Sequence, residues 1–170
     1  MSTTHSYIGI QNSDGTIQAV YCHNFGYPEG LGVTLQTHYN SLAAALEIMK
    51  LGDLSFLGKK LNPPSNQVHS WENPSQDISI AYGRDRGEVG TEVKHFGNLD
   101  KLMFFCASTL ANCVYLFRDG AWYYSEVQSQ NVWIPCTSIE EVLIWKIMPR
   151  GYTGDIEGTF WFAIQSYTLT

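Results

Sequence analysis

The chain has 170 residues, of which 44% are hydrophobic, so it can bury one sizeable core. Ten basic against 16 acidic residues give a formal net charge of -6, which argues against a protein that binds nucleic acid chiefly through phosphate contacts. No apolar run reaches the length of a membrane span, and the N-terminus lacks the pattern of a signal peptide. We expect one cytoplasmic domain, spanning 1–170, that binds neither nucleic acid nor membranes.

The first predicted element is a β-hairpin over residues 7–22. Two runs rich in apolar residues flank Asn12-Ser13-Asp14-Gly15, and Asp-Gly between such runs is a strong short-range turn signal. A loop with glycines at 26, 30 and 32 follows the hairpin and leads into a helical region. Glycine permits backbone angles that other residues avoid, and Pro28 fixes its own φ. The loop is therefore predicted to be a turn of defined conformation.

Two helices are predicted next. Apolar residues recur at helical spacing, so one stripe faces a core. The stripe consists of Leu31, Leu35, Tyr39, Leu42, Leu46 and Met49. Asn40-Ser41 is predicted to divide the two helices, with Asn40 as the cap of the second, and Gly52 is placed to end it.

The middle of the chain is predicted to be mostly loop. Residues 58–77 are rich in Gly, Asn, Pro, Ser and Gln and show neither a helical nor a strand period. Residues 78–82 alternate as a strand does, and residues 83–88 are predicted to form a charged loop after it.

The last third predicts a second hairpin, a helix and a closing strand. The hairpin spans residues 113–127 and turns at Arg118-Asp119-Gly120. A capping box at residues 138–141 starts a helix, and residues 159–164 form a strand. Hairpins mixed with helices indicate an α+β fold, in which an antiparallel sheet built from hairpins packs against two or three helices in a single domain.

The cysteines and histidines give no sign of a disulfide, a metal site or a cofactor. Cys22, Cys106, Cys113 and Cys136 form no Cys-x-x-Cys pair and have mostly apolar neighbours, which is typical of reduced, buried thiols. Histidine and glutamate side chains can ligate metals, but the spacing of the candidates matches no metal motif. These candidates are His23, Glu29, His38 and His95.

Cys22 beside His23 is a candidate nucleophile and base, with Glu29 as a further base. Neighbouring side chains on a strand point to opposite faces, so these two would diverge. We therefore expect Cys22 to be a buried structural residue, and we assign no catalytic residue.

Arg84-Asp85-Arg86 is the densest positive feature of this acidic chain, and it directly follows Tyr82-Gly83. Guanidinium groups bind phosphates through paired hydrogen bonds, so the segment predicts an anion clamp beside an aromatic ring, with Lys59-Lys60 as the alternative. The predicted ligand-binding residues are His23, Asn24, Tyr27, Glu29, Tyr82, Arg84 and Arg86.

Residues 16–39 resemble a family of small, uncharacterised phage and bacterial proteins whose N-terminus runs YCHxxGYPEGxGxxLxxHY. Segments 51–55, 115–117 and 120–123 are similar to further landmarks of that family. Asn24 stands where the family usually has a tryptophan. The resemblance implies a phage or mobile-element origin and no particular activity.

Three functions are consistent with these features. The first is a phage-encoded, non-enzymatic sponge, a homo-oligomer that sequesters a small anionic, ring-bearing ligand such as a nucleotide-derived immune signal of the host. The second is a hydrolase or transferase that uses Cys22 or His23. The third is an inhibitor that binds a host protein through surface aromatics such as Trp71 and Tyr27.

Overall fold

The computed structural model describes residues 4–129 and 132–139, which form an eight-stranded sheet with helices on both faces. The strands are β1 (Ser6–Gln11), β2 (Ile17–Cys22), β3 (Leu54–Phe56), β4 (Ile80–Ala81), β5 (Lys94–Phe96), β6 (Cys113–Arg118), β7 (Ala121–Glu126) and β8 (Ile134–Pro135). The helices are α1 (Val33–His38), α2 (Leu42–Leu51), α3 (Tyr82–Arg86) and α4 (Leu99–Ser108). A turn of π-helix over Pro28–Gly32 leads into α1.

The sheet is mostly antiparallel and has the strand order β4-β3-β2-β1-β6-β7-β8, with β5 paired to β2 beside this path. Two pairs, β1 with β6 and β2 with β3, are parallel. The predicted α+β class in a single domain is confirmed. The described residues carry four α-helices, where the sequence indicated two or three.

Both predicted hairpins are confirmed. In the first, Gln11 pairs with Ile17 and Ser6 with Cys22, and in the second, Arg118 pairs with Ala121. Gly15 and Gly120 have φ of 86° and 80°, values that glycine reaches without steric cost. Because β1 and β6 are parallel neighbours, both hairpin turns emerge at the same end of the sheet.

Strand β2 changes partners along one edge. Residues 17–19 pair with β5, whereas Cys22 pairs with Leu54 of β3. Between the two, the backbone N–H of Tyr21 donates to the Asp53 carboxylate at 2.8 Å, and Lys94 Nζ also binds that carboxylate at 2.7 Å. The side chain of Asp53 therefore supplies the acceptor that a continuous neighbouring strand would have provided.

Each face of the sheet carries its own hydrophobic core. Helices α1 and α2 cover one face, where Trp122 and Tyr115 are fully buried. Helix α4 covers the other through Leu102, Met103 and Cys106. No helix was predicted for residues 99–108, so α4 was missed.

Four local predictions are wrong. Leu42 and Leu46 of the predicted core-facing stripe are exposed, and α2 instead buries Ala45, Ile48 and Met49. Ser41, not Asn40, caps α2, because Ser41 Oγ accepts the N–H of Ala44 at 3.1 Å. Residues 83–86 of the predicted charged loop are helical, since the Asp85 carboxylate accepts the N–H of Ala81 at 2.7 Å and so closes the first turn. The predicted strand at 78–82 is shortened to Ile80–Ala81.

Other predictions hold or lie outside the described residues. Gly52 ends α2 with φ of 75°, and 58–77 contain no helix and no multi-residue strand. The helix predicted from Ser138 lies beyond the described range after Ile139, as does the strand at 159–164. No helix in the described ranges has both the length and the apolar character needed to cross a bilayer.

Candidate functional site

The hairpin register places two histidines opposite each other at one end of the sheet. Ser6 pairs with Cys22, so His5 and His23 lie just beyond the last pair of β1 and β2. Their ring centroids are 4.5 Å apart. Backbone bonds hold both: His5 N–H donates to Asn112 Oδ1, and His23 N–H donates to the carbonyl of Leu54.

Tyr21 joins the two imidazoles through its hydroxyl. Its oxygen lies 2.7 Å from His5 Nδ1 and 2.9 Å from His23 Nδ1. One phenol carries one proton, so it donates to one Nδ1 and accepts the N–H of the other. When both imidazoles are neutral they are therefore opposite tautomers, and one Nε2 is then a donor while the other is an acceptor. Neither Nε2 has a hydrogen-bond partner within residues 4–129 and 132–139.

Burial and neighbouring charge favour the uncharged forms of Tyr21 and His23 near neutral pH. Burial raises the pKa of the Tyr21 phenol to about 12, with Tyr82 and Tyr7 adding to the effect. Burial, then His5 and then the Arg86 guanidinium lower the pKa of His23 below its ordinary value of 6.5. His23 is therefore predominantly neutral at pH 7.

Arg86, which is on α3, lies next to these imidazoles. Its guanidinium carbon is 4.3 Å from the Trp71 ring centroid and 5.1 Å from that of Tyr82. Its Nε pairs with Glu88 at 2.9 Å, and its terminal nitrogens bind no acceptor in the part of the chain that the structure describes. Two aromatic faces thus hold a guanidinium whose outer donors remain available. We call His5, Tyr21, His23, Trp71, Tyr82 and Arg86 the histidine–arginine cluster.

Arg84 has a different role from Arg86. All five of its N–H donors are used within the fold: two bind Asp85, and the others bind the Leu61 carbonyl, Asn62 Oδ1 and the Ser79 carbonyl at 2.6–2.9 Å. This geometry does not support the predicted pairing of Arg84 with Arg86 in one clamp. Arg84 instead ties the 58–79 loop to α3.

The buried carboxylate of Asp85 and a buried histidine complete that attachment. The side chains of Asp85 and His69 are 2% and 1% exposed and lie 3.5 Å apart. His69 Nδ1 accepts the N–H of Ser75, so His69 Nε2 carries the hydrogen and donates to the Ser79 carbonyl. Burial opposes ionisation of Asp85, but hydrogen bonds from Arg84 and Ala81 outweigh it and lower the pKa of this carboxyl. We call Arg84, Asp85 and His69 the loop latch.

The latch positions part of the histidine–arginine cluster. The N–H of Trp71 donates to the carbonyl of Asp85 at 3.4 Å, so the loop that carries Trp71 is fixed to the helix that carries Arg86. The stacking of Trp71 on Arg86 therefore depends on the loop latch, which contacts the cluster through the Asp85 carbonyl.

The remaining predicted site residues lie outside the cluster. Asn24 Nδ2 donates to the Ser55 carbonyl at 2.9 Å and borders a cavity of only about 140 Å³. Tyr27 packs its ring against Phe25. Glu29 lies close enough to Tyr124 to help raise the pKa of that phenol, after burial, Glu126 and Cys136. Of the seven predicted residues, the structure groups His23, Tyr82 and Arg86.

Cys22 is fully buried, as predicted from its strand position. Its Sγ contacts the Asn24 carbonyl at 3.6 Å, and burial raises the pKa of the thiol to about 12. It is therefore a neutral thiol without access to solvent and is poorly suited to nucleophilic attack. Within the described ranges no three His, Cys, Asp or Glu side chains gather as metal ligands would. Lys59, part of the alternative clamp, pairs with Asp77 at 3.5 Å.

Sequence reasoning missed His5, Tyr21 and the contact of Trp71 with Arg86. The histidine pair follows from the observed register of the first hairpin, in which paired residue numbers sum to 28, and the predicted turn at Asn12–Gly15 did not by itself fix that register. That register places His5 opposite His23. The Trp71 contact had no local signal, since it depends on the fold of a long loop.

Comparison of the chain with models of protein families, with curated proteins and with solved structures finds no match in any of the three. The resemblance to phage and bacterial proteins therefore stays a prediction.

Proposed function

We propose that the protein is a non-enzymatic binding protein for a small anionic, ring-bearing ligand of the nucleotide class, held at the histidine–arginine cluster. The observation that carries this proposal is Arg86. Its guanidinium is stacked against Trp71 and Tyr82, with its terminal donors free of any described acceptor. A guanidinium fixed in this way loses little rotamer entropy when it pairs with a phosphate.

The two histidines give the site a pattern suited to a heterocycle. When both imidazoles are neutral, one Nε2 donates and the other accepts, on rings whose centroids are 4.5 Å apart. The edge of a nucleobase carries donors and acceptors side by side, so it can satisfy both nitrogens at once. Because Trp71 is 43% exposed, its ring also offers a surface on which a base can stack.

The charge distribution favours binding at this place. The chain has a formal net charge of -6, so an anion is repelled unless local cations outweigh the general field. Arg86 supplies that charge, offset in part by its pair with Glu88, while Arg84 is consumed by the loop latch. Sequestration of a nucleotide-derived host signal by a homo-oligomer is the narrower form of this proposal, and it rests on the phage resemblance alone.

Calorimetric titration with matched variants tests the proposal. AMP and a cyclic dinucleotide serve as probes, and adenosine and ribose 5-phosphate separate the contributions of base and phosphate. We expect Arg86→Gln to weaken binding of the phosphate-bearing probes about tenfold or more, since a hydrogen bond to a charged group contributes about 1.5–3 kcal/mol. Lys50→Gln is the control: it removes the same charge from α2, where Lys50 makes an exposed pair with Glu47.

Two results would contradict this assignment. One is the absence of binding by any phosphate-bearing probe at millimolar concentration. The other is an equal loss of affinity in Arg86→Gln and Lys50→Gln, which would show that binding depends only on the overall charge of the protein. Native mass spectrometry of protein purified from bacteria adds a further distinction, because a retained ligand recovered unaltered supports binding and a chemically altered one supports an enzyme.

A further inference from the structure

A second cleft lies at the opposite end of the sheet, where the two hairpin turns emerge. It has a volume of about 530 Å³, which is within the range typical of small-molecule sites. Its polar side chains are those of Gln11, Asn12, Ser13, Arg118, Asp119 and Tyr123. Leu116 belongs to the core under α4, and it lies two residues before Arg118 and directly opposite Tyr123. Because side chains two apart or directly opposite share a face, both residues lie on the α4 face of the sheet.

Arg118 is the cation of this cleft. Its guanidinium carbon lies 4.6 Å from the Tyr123 ring centroid and 5.4 Å from that of Trp133. It makes no hydrogen bond and no ion pair with any other residue of the described ranges. Stacking on the two rings restricts the guanidinium, and its N–H donors remain available to a ligand.

Four further side chains of the cleft also have unused polar groups. The side chains that make no hydrogen bond within residues 4–129 and 132–139 are those of Gln11, Ser13, Asp119 and Tyr123. Other polar groups of the first turn do find partners, because Asn12 Nδ2 donates to Thr16 Oγ1 and the Asp14 carboxylate accepts the N–H of Thr16, both at 2.9 Å. The cleft therefore gathers donors and acceptors that the fold itself does not use.

The charges of the cleft favour a ligand that both donates and accepts hydrogen bonds. An anion held by Arg118 would be repelled by Asp119, and a cation held by Asp119 would be repelled by Arg118. A hydroxyl group is uncharged and can donate one hydrogen bond while it accepts others. Two neighbouring hydroxyls can therefore accept from the guanidinium and donate to the carboxylate at the same time.

The uncharged side chains of the cleft extend this requirement. A small zwitterion would satisfy Arg118 and Asp119 but would leave Gln11, Ser13 and Tyr123 without partners. A sugar ring carries several hydroxyls around its edge, enough to reach the neutral groups as well. Its C–H groups are apolar, and the ring of Tyr123, which borders the cleft, offers apolar surface to them.

We propose that this cleft is a carbohydrate-binding site that takes one uncharged pyranose ring. Arg118 donates to one of two adjacent hydroxyls, Asp119 accepts from the other, and Gln11, Ser13 and Tyr123 bind the remaining ones. The six residues of β2 separate this end from the histidine–arginine cluster, a distance of roughly 20 Å. The site uses no residue of that cluster, so it does not depend on the proposed nucleotide site.

An NMR titration of the full ¹⁵N-labelled chain tests this proposal. The probes are the methyl α-D-pyranosides of glucose, galactose, mannose and N-acetylglucosamine. We expect at least one of them to shift the side-chain Nε–H signal of Arg118 in a saturable way. The Nε–H signal of Arg86, which pairs with Glu88 in the other cluster, is the internal control and should not move.

Two control ligands separate a sugar site from a general polar or charged one. Tetrahydropyran-2-methanol keeps the ring but lacks the adjacent ring hydroxyls, so it should bind at least about tenfold more weakly than the glycoside. Glycine carries both charges and no hydroxyl, and at the same concentration it should leave the Arg118 signal in place. These comparisons need no variant and so are independent of any effect on folding.

Two variants assign the contacts, with the backbone N–H of Gly120 as the reporter. Arg118→Gln and Asp119→Asn should each weaken binding of the glycoside about tenfold or more. Asn-Gly is itself a favoured hairpin turn, so Asp119→Asn preserves the β6–β7 turn. Lys50→Gln and Glu47→Gln make the same charge changes in an exposed pair on α2, and both should bind as the wild type does.

Several results would overturn the proposal. One is that no glycoside of the panel shifts the Arg118 signal at tens of millimolar. Another is that tetrahydropyran-2-methanol or glycine binds as tightly as the glycoside. The proposal is also wrong if Arg118→Gln and Asp119→Asn bind as the wild type does, or lose no more affinity than the two α2 variants.

Discussion

Gly26→Ala tests how the turn after β2 holds the N-terminal segment that carries His5. Gly26 does not have a positive φ; its constraint is space. A Cβ at this position would overlap the carbonyl oxygen of Thr4 and lie 2.7 Å from Ser6 Oγ and 2.8 Å from Ser6 Cβ. The same backbone donates its N–H to Thr4 O at 3.0 Å and accepts the buried hydroxyl of Tyr115 at 2.8 Å.

The expected cost follows from these contacts. Inserting a methyl group into packed surroundings costs about 1–3 kcal/mol, and weakening the bond to Thr4 adds about 1 kcal/mol. Replacing glycine by alanine returns about 0.4–1 kcal/mol, because the unfolded chain becomes less flexible. The free energy of unfolding should therefore fall by roughly 1–3.5 kcal/mol, which for a chain of this length lowers Tm by roughly 2–14 °C.

The assay is thermal and urea unfolding of Gly26→Ala beside Gly97→Ala. At Gly97 the nearest atom to an added Cβ is Lys101 Nζ, the end of a flexible side chain, at 3.6 Å. Gly97→Ala should therefore melt at or slightly above the temperature of the wild type. If both variants melt together with the wild type, the close approach at Gly26 does not constrain the fold and the reasoning fails.

Three further predictions concern the latch, the cluster and the buried thiol. Asp85→Asn should lower the free energy of unfolding by about 3 kcal/mol, because it leaves the Arg84 guanidinium without its charged partner. The variant should also be cleaved faster by proteases within residues 58–79, and an unchanged cleavage rate would contradict the latch. As pH falls from about 8 to about 5, the wild type should lose more stability than His23→Asn, because the pKa of His23 is lower in the folded state and the unfolded state therefore binds more protons in this range. Equal losses of stability in urea titrations of the two proteins would contradict this. Cys22→Ser should be destabilised by about 1–3 kcal/mol and keep its nucleotide affinity per folded molecule; a folded variant that fails to bind would make Cys22 functional.

The two hairpins could be predicted because their information is local. Asp-Gly turns and flanking alternation specify which runs pair as hairpins, and Gly52 signals the end of α2 in the same way. The buried state of Cys22 follows from its position on β2. The approach of His5 to His23 depends on the observed register, which the predicted turn over residues 12–15 did not fix.

Helix α4 carried a readable signal that was not used. Leu99, Leu102, Met103 and Cys106 recur at helical spacing, and Asn98 caps the helix by accepting the N–H of Lys101 at 3.0 Å. The missed helix therefore reflects an incomplete reading of the pattern, not missing information.

The different roles of Arg84 and Arg86 could not be predicted. The two side chains are chemically identical and lie two residues apart. Their roles differ because the 58–79 loop brings Leu61, Asn62 and Ser79 to Arg84, and Trp71 to Arg86. These contacts join residues far apart in sequence across a segment without periodicity. Local patterns carry no information about such contacts.

Histidine side-chain NMR during a titration with AMP and with a cyclic dinucleotide tests the central claim most directly. The ring nitrogens of His5 and His23 report on the cluster, while His69, which is 1% exposed and held in the latch, serves as an internal control. At least one of these probes should shift the Nε2 resonances of His5 and His23 in a saturable way and leave those of His69 unchanged. Saturable binding by calorimetry that leaves His5 and His23 unperturbed would contradict the claim, as would the absence of any shift at millimolar concentration of both probes.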